Sequence, residues 1–243
     1  MNLYGLIGYP LGHSFSKEYF NKKFETEGLE DCYFELFPLE RIDLFPELLK
    51  RNSLKGLAVT IPYKESVMSF LQSLTDEAKS IGAVNCIEFL PGGLKGHNTD
   101  VIGFERSFMP QLRSHHTAAL ILGTGGASKA VQFVLKKLGI PYLLVSRNAG
   151  IDSISYNEVD KELLQEYTII INCSPVGMSP NEAEAPAIPY EFIGTQHYFF
   201  DMIYKPAETK FLQEGRSRGA TIKNGYEMLL LQAEENWKIW NEF

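Results

Sequence analysis

Residues 120–139 read LILGTGGASKAVQFVLKKLG, and this stretch decides the fold. An apolar strand runs into the turn Gly123-Thr124-Gly125-Gly126, and a helix leaves it. Gly123 permits a tight turn. Gly125 and Gly126 carry no Cβ, so a pyrophosphate can approach the backbone where the helix N-terminus offers N–H groups and partial positive charge. Ser128 stands where the fingerprint GxGxxG has its third glycine, and a small residue still permits close helix–strand packing. A glycine-rich loop without a ligand is the plainer reading; the flanking strand and helix favour a dinucleotide. The next strand ends in Val145-Ser146-Arg147-Asn148, without the acid that an NAD ribose requires. Arg147 can pair with a 2′-phosphate and Ser146 can donate to it, which points to NADP.

Strand and helix patterns alternate outward from the turn in both directions. Downstream, strands are expected over 142–145, 169–173 and 198–203, and a helix over 209–218. A long terminal helix over 226–240 places Leu229, Leu230, Ala233, Trp237 and Trp240 on one stripe. Upstream, strands are expected over 3–8, 32–37 and 57–61, with a hairpin of 85–90 and 94–98 around Pro91-Gly92-Gly93. Helices are expected over 16–27 with Ser16 as N-cap, over 42–50 ending near Asn52, over 64–74, and over 101–112 as a link. Such alternation means βαβ units and parallel sheets, hence an α/β fold. The domain boundary falls near residue 100.

The chain has 243 residues, enough for one or two domains. Its 44% hydrophobic content excludes disorder over most of its length. A formal charge of −7 argues against non-specific binding to nucleic acid or an anionic membrane. Cys32, Cys86 and Cys173 are scattered, with no zinc spacing and no disulfide framework, which fits a reducing cytoplasm. His13, His97, His115, His116 and His197 show no metal-ligand spacing, so no metal is expected; His115-His116 reads as a solvated loop. No signal peptide and no membrane span is expected, because the N-terminus lacks a basic region and no run reaches 18 apolar residues.

Polar residues gather where strands of the first half end, which is where open α/β sheets hold ligands. Ser14 and Ser16 lie near a helix start, where they can hold a carboxylate or simply cap and solvate the helix. Thr60 and Lys64 sit in VTIPYK, and Lys64 is expected to open a helix, electrostatically the wrong end for a cation. Asn85 ends GAVN and Asp100 ends GHNTD. A lysine beside an aspartate makes a proton-transfer pair. Spacing does not establish that Lys64 and Asp100 meet.

Eight segments, in order, resemble the shikimate dehydrogenase family: GYPLGHSFSKEYFN, LAVTIPYKE, IGAVNC, GHNTD, LGTGGASKA, INCSPVGM, DMIYKP and NGYEMLLLQAE. The resemblance spans nearly the whole chain. It implies an N-terminal α/β substrate domain over 1–100, completed by 226–243, and a Rossmann-type doubly wound NADP-binding domain over 101–225. It implies NADPH-dependent reduction of 3-dehydroshikimate to shikimate, in aromatic amino-acid biosynthesis, by a cytoplasmic monomer or homodimer. On this pattern Lys64 and Asp100 are catalytic, and Ser14 and Ser16 take the substrate carboxylate. Thr60, Asn85 and Gln232 take ring hydroxyls, and Tyr204 lies near the substrate. Gly123, Gly125, Gly126 and Ala127 form the phosphate turn, Ser146 and Arg147 the 2′-phosphate clamp, and Met202 lies by the nicotinamide. Gly225 begins the returning segment. The chain departs from the pattern at Lys129, where arginine is usual, at Val101, where glycine is usual, and after Asn148, where a basic helical stretch is shortened. The rivals are a quinate/shikimate dehydrogenase with relaxed NAD use, a non-catalytic shikimate- or nucleotide-binding regulator, and a methylenetetrahydrofolate dehydrogenase. The serine pair and NTD segment speak against the last, and a binding module needs no Lys64/Asp100 pair.

Overall fold

Every residue from Leu3 to Gly8 is buried, and this run forms most of β1 (Asn2–Gly8). The computed structural model describes residues 1–12, 14–51 and 53–241. His13 and Asn52, both named above, lie outside the described residues. The chain falls into two units, one of Met1–Thr99 with the segment from Ala233 onward, the other of Asp100–Gln232.

The first unit holds β1, α1 (Phe15–Thr26), β2 (Cys32–Pro38), α2 (Phe45–Leu48), β3 (Leu54–Val59), β4 (Ser73–Leu74), α3 (Asp76–Ile81), β5 (Cys86–Leu90) and β6 (Gly93–His97). Its six-stranded sheet runs β2-β1-β3-β5-β6-β4. β2, β1 and β3 are parallel; β5 pairs antiparallel with β3 and with β6. Alternate side chains serve opposite faces. Leu3, Ile7, Val59 and Ile87 build one core with Val67. Tyr4, Leu6, Ala58 and Cys86 build the other with Phe20 and Phe24 of α1 and with Ala233 and Trp240.

Two expectations fail here. Ser14, not Ser16, holds the N-cap position of α1. Residues 64–74 form no α-helix: Ser66–Phe70 is a 3-10 helix, Leu71 is extended and β4 follows. Lys64 therefore precedes a 3-10 turn and does not open an α-helix. α3 is capped by Thr75, whose hydroxyl accepts from Ala78 N, and is stopped by Gly82 at φ 69°.

The second unit holds α4 (Asp100–Phe108), β7 (Ala119–Leu122), α5 (Gly126–Lys137), β8 (Tyr142–Ser146), β9 (Ser153–Ser155), α6 (Lys161–Glu166), β10 (Ile169–Asn172), β11 (Tyr198–Asp201), α7 (Lys210–Ser217) and β12 (Thr221–Lys223). Its sheet runs β12-β11-β10-β7-β8-β9, every pair parallel. Renumbered within the unit, that order is 6-5-4-1-2-3, the doubly wound arrangement, with its switch point between β7 and β10. Residues 147–152 alone link β8 to β9, and they form turns rather than a helix. A parallel crossover ordinarily takes a dozen residues.

α8 (Tyr226–Asn241) divides between the units, with the helix up to Gln232 grouped with the second. The expectation assigned the whole segment 226–243 to the first domain. The first turns of α8 lie on α4, where a Cβ on Gly103 would meet Met228 O at 2.6 Å and Gln232 Cβ at 3.1 Å. His116 is also not solvated. It is buried beside Tyr198 and its Nδ1 accepts from Arg113 N at 3.0 Å. Burial and the neighbouring His115 push its pKa down to about 4.

Candidate active site

In the first unit, three of the expected residues are tied together through the backbone at the carboxyl ends of β1 and β3. Thr60 N donates to Ile7 O at 2.9 Å, so Thr60 continues β3 alongside β1. Val59 N donates to Asn85 O at 2.8 Å, and Val84 N donates to Lys64 O at 2.7 Å. Thr60, Lys64 and Asn85 thus arrive at one sheet end from two segments, the one that leaves β3 and the one that enters β5. Thr60 and Lys64 are half-buried and Asn85 is buried. Ser14 and Ser16 are half-buried at the start of α1, and Ser14 makes no side-chain cap bond to its helix.

Asn85 is held firmly. Its Oδ1 accepts from Thr99 N at 2.7 Å, and its Nδ2 donates to Thr99 Oγ1 at 3.0 Å. That hydroxyl in turn donates to Asn236 Oδ1 at 2.7 Å. Thr99 and Asn236, both buried, are not singled out by the sequence.

In the second unit the expected cofactor residues line the carboxyl edge of the parallel sheet. Gly123 N donates to Val145 O at 2.8 Å, and the residue sits at φ 107°. A Cβ there would also come within 3.1 Å of Ser174 N, so no other residue fits. Gly125 is the N-cap of α5 and Gly126 its first residue; a Cβ on either would enter open space. The turn therefore presents bare backbone and a helix N-terminus at the switch point, as a bound pyrophosphate requires. Ala127 follows, half-buried, and Ser128 is buried with its Oγ donating to Gly125 O at 2.7 Å. Ser128 thus braces the turn that a third glycine would leave unbraced. Ser146 ends β8, and Arg147 is exposed just beyond it; burial pushes the Tyr156 phenol up, and the positive charge of Arg147 opposes that rise only in part.

Met202 follows β11, its N donating to Asn172 O at 3.0 Å. Gly225 N donates to Ile203 O at 3.1 Å, and a Cβ on Gly225 would overlap Met202 O. This packing alone requires glycine at 225. Tyr204 is half-buried in the loop after β11. Asp100 is the buried first residue of α4, and half-buried Gln232 donates from Nε2 to Leu229 O at 2.9 Å.

One buried network beside Met202 escapes a reading of the sequence. Asp201 Oδ1 accepts from Asn172 Nδ2 at 3.1 Å and from Ile203 N at 3.0 Å, and Oδ2 accepts from Thr209 Oγ1 at 2.5 Å. Asn172 Oδ1 accepts from Ser174 Oγ at 2.7 Å. Burial pushes the Asp201 carboxyl up to about 6, and the three donors hold it from rising further. The available signal is a polar residue closing an otherwise apolar strand, in both IIIN and YFFD. Burial also pushes the Cys173 thiol up, helped by Asp201, so it carries no thiolate nucleophile at neutral pH.

A sequence model described as the shikimate dehydrogenase substrate binding domain matches residues 6–87. The shikimate dehydrogenase (NADP(+)) of Caldanaerobacter subterraneus subsp. tengcongensis is 36% identical over 259 residues, covering 98% of this chain and 91% of that one. The crystal structure of a chorismate mutase/shikimate 5-dehydrogenase fusion protein from Clostridium acetobutylicum is similar at TM-score 0.88 and 36% identity, covering 100% of this chain and 92% of that one. Shikimate 5-dehydrogenase from Thermus thermophilus, in complex with NADP(H) and shikimate, is similar at TM-score 0.88 and 28% identity, covering 100% and 94%.

Proposed function

The chain belongs to the shikimate dehydrogenase family, and from that premise we propose that it catalyses the reversible reduction of 3-dehydroshikimate to shikimate with NADPH, a step toward chorismate and the aromatic amino acids. The observation that carries this reading is the convergence of Lys64, Thr60 and Asn85 on one sheet end. A protein that merely binds a polyol acid has no use for a proton donor there.

NADPH, when bound, supplies a hydride to the carbonyl carbon. Lys64 gives a proton to the carbonyl oxygen, so that ketone, hydride and proton balance to a secondary alcohol. Asp100 is assigned the role of positioning Lys64 and a substrate hydroxyl. Ser14 and Ser16 hold the substrate carboxylate. Thr60, Asn85 and Gln232 are assigned its ring hydroxyls, and Tyr204 a place near the substrate. Gly123, Gly125, Gly126 and Ala127 receive the pyrophosphate, Ser146 and Arg147 the 2′-phosphate, and Met202 borders the nicotinamide. The formal charge of −7 supports a small-molecule substrate rather than nucleic acid, and three free cysteines support action in a reducing cytoplasm.

The test is absorbance at 340 nm with shikimate, then quinate, each with NADP⁺ and with NAD⁺. Turnover with shikimate and NADP⁺ well above the other pairs is expected. Comparable rates with NAD⁺ or quinate would replace this reading by a relaxed dehydrogenase. Calorimetric binding of shikimate without turnover in any pair would replace it by a binding protein.

A further inference from the structure

We propose that Asn236, on the terminal helix, is a positioning residue that secures the orientation of the Asn85 amide toward the substrate; the proposal rests on the function read above. Thr99 N, a donor only, already selects the amide oxygen, and one proton decides whether the nitrogen end is held as well. The Thr99 hydroxyl has a single hydrogen and two candidate acceptors, Asn236 Oδ1 at 2.7 Å and Asn85 Oδ1 at 3.2 Å. Given to Asn236, the proton leaves an oxygen lone pair facing Asn85 Nδ2, which donates to it at 3.0 Å. Thr99 N holds the other end of the same amide, at 2.7 Å from Asn85 Oδ1. Thr99 then grips Asn85 at both atoms, in one orientation. Without an acceptor at 236, the hydroxyl proton turns to Asn85 Oδ1 and the lone pair that anchors Nδ2 is redirected. Asn85, Thr99 and Asn236 are all buried, at 3%, 2% and 1% exposure, so water does not readily substitute. Asn236 lies 137 residues from Thr99 and belongs to the same unit as Asn85.

The test is steady-state kinetics on Asn236→Leu, Asn85→Ala and the double variant, beside the unaltered enzyme. Asn236→Leu is expected to raise KM for shikimate about fivefold, the size of one neutral hydrogen bond, with KM for NADP⁺ unchanged. In the Asn85→Ala background the same substitution should add nothing to KM, because its effect passes through Asn85. Asn236→Ser, which keeps an acceptor, should recover part of the loss. Equal KM for shikimate in Asn236→Leu and the unaltered enzyme would overturn the proposal. So would an effect of full size in the double variant, or a parallel rise in both KM values, which would mark a structural role. If Asn236→Leu does not fold, Asn236→Ser and the Asn85→Ala/Asn236→Ser pair carry the same comparison. No turnover by the unaltered enzyme would instead sink the functional reading on which this rests.

Discussion

At the scale of single residues, what separates Lys64 from Asp201 is the task each can perform. Lys64 is half-buried, tethered by its carbonyl to Val84 N, and held at the end of a sheet where a ligand can reach it. Lys64→Ala should lower kcat by about 10²–10⁴ with a smaller change in KM, the worth of a positioned proton donor. A kcat left intact in initial-rate assays would remove Lys64 from the chemistry. Asp201 has no exposure at all and serves the loops on either side of Met202. Its carboxyl moves from 3.8 to about 6 on folding. Between those values the folded chain holds more protons than the unfolded one, so this group's contribution to stability falls as pH rises from about 4 to about 6. A rise of that size corresponds to about 3 kcal/mol. Urea unfolding of the native chain and of Asp201→Asn, compared at pH 4, 5, 6 and 7, should show their difference shrinking by roughly that amount and then levelling off. A difference that stays constant would mean that Asp201 titrates like an exposed aspartate.

At the scale of elements, α5 shows how one turn separates stability from binding. Gly126 is the first residue of that helix, and a methyl there would meet no atom within 4 Å. Alanine is favoured over glycine in helices by about 0.5–1 kcal/mol, so Gly126→Ala should hold or raise Tm. The same methyl stands where the pyrophosphate would pass, and KM for NADP⁺ should rise about tenfold or more, one lost charge-assisted contact. Unchanged affinity for NADP⁺ would place the phosphates elsewhere. This turn is legible in the sequence because its chemistry is local: an apolar run, bare glycines and a helix in succession. Strands as apolar as β7 and β10 are legible for the same reason. The segment 64–74 is not. Val67, Phe70, Leu71 and Leu74 recur at three and four residues, which suits an α-helix, yet the chain buries Val67 from a 3-10 turn and turns extended at Leu71. β4, β9 and β12 have two or three residues each, too few to show a period. The Thr99–Asn236 and Asn172–Asp201 pairs lie hidden for another reason. Hydrogen bonds between residues 137 and 29 positions apart leave no local pattern.

At the scale of the whole molecule, the chain leaves its first unit at Thr99 and re-enters it at Ala233, so the last residues complete a core begun by the first. Trp240 is the keystone of that closure. Its ring stacks on Tyr4 at 5.3 Å, its Nε1 donates to Ile87 O at 3.1 Å, and it packs so closely over Gly56 that a Cβ there would overlap the indole. Phe20 of α1 lies against the same ring at 5.4 Å, so the helix that carries Ser16 rests on the chain's return. Glu234 adds a polar tie to that helix, accepting from Tyr19 and pairing with Lys23 at 3.1 Å. Trp240→Ala removes an almost fully buried ring whose neighbours come from β1, β3, β5 and α1, too many to collapse together into the space. It should cost about 3–5 kcal/mol. The chain's two tryptophans are Trp237 and Trp240, both in the first unit, so fluorescence of the remaining Trp237 reports that unit during urea unfolding. Its midpoint should fall steeply in Trp240→Ala and stay in place in Gly126→Ala, whose change lies in the other unit. A cost below about 1 kcal/mol, the level of a surface substitution, would show that the first unit closes its core without the returning helix.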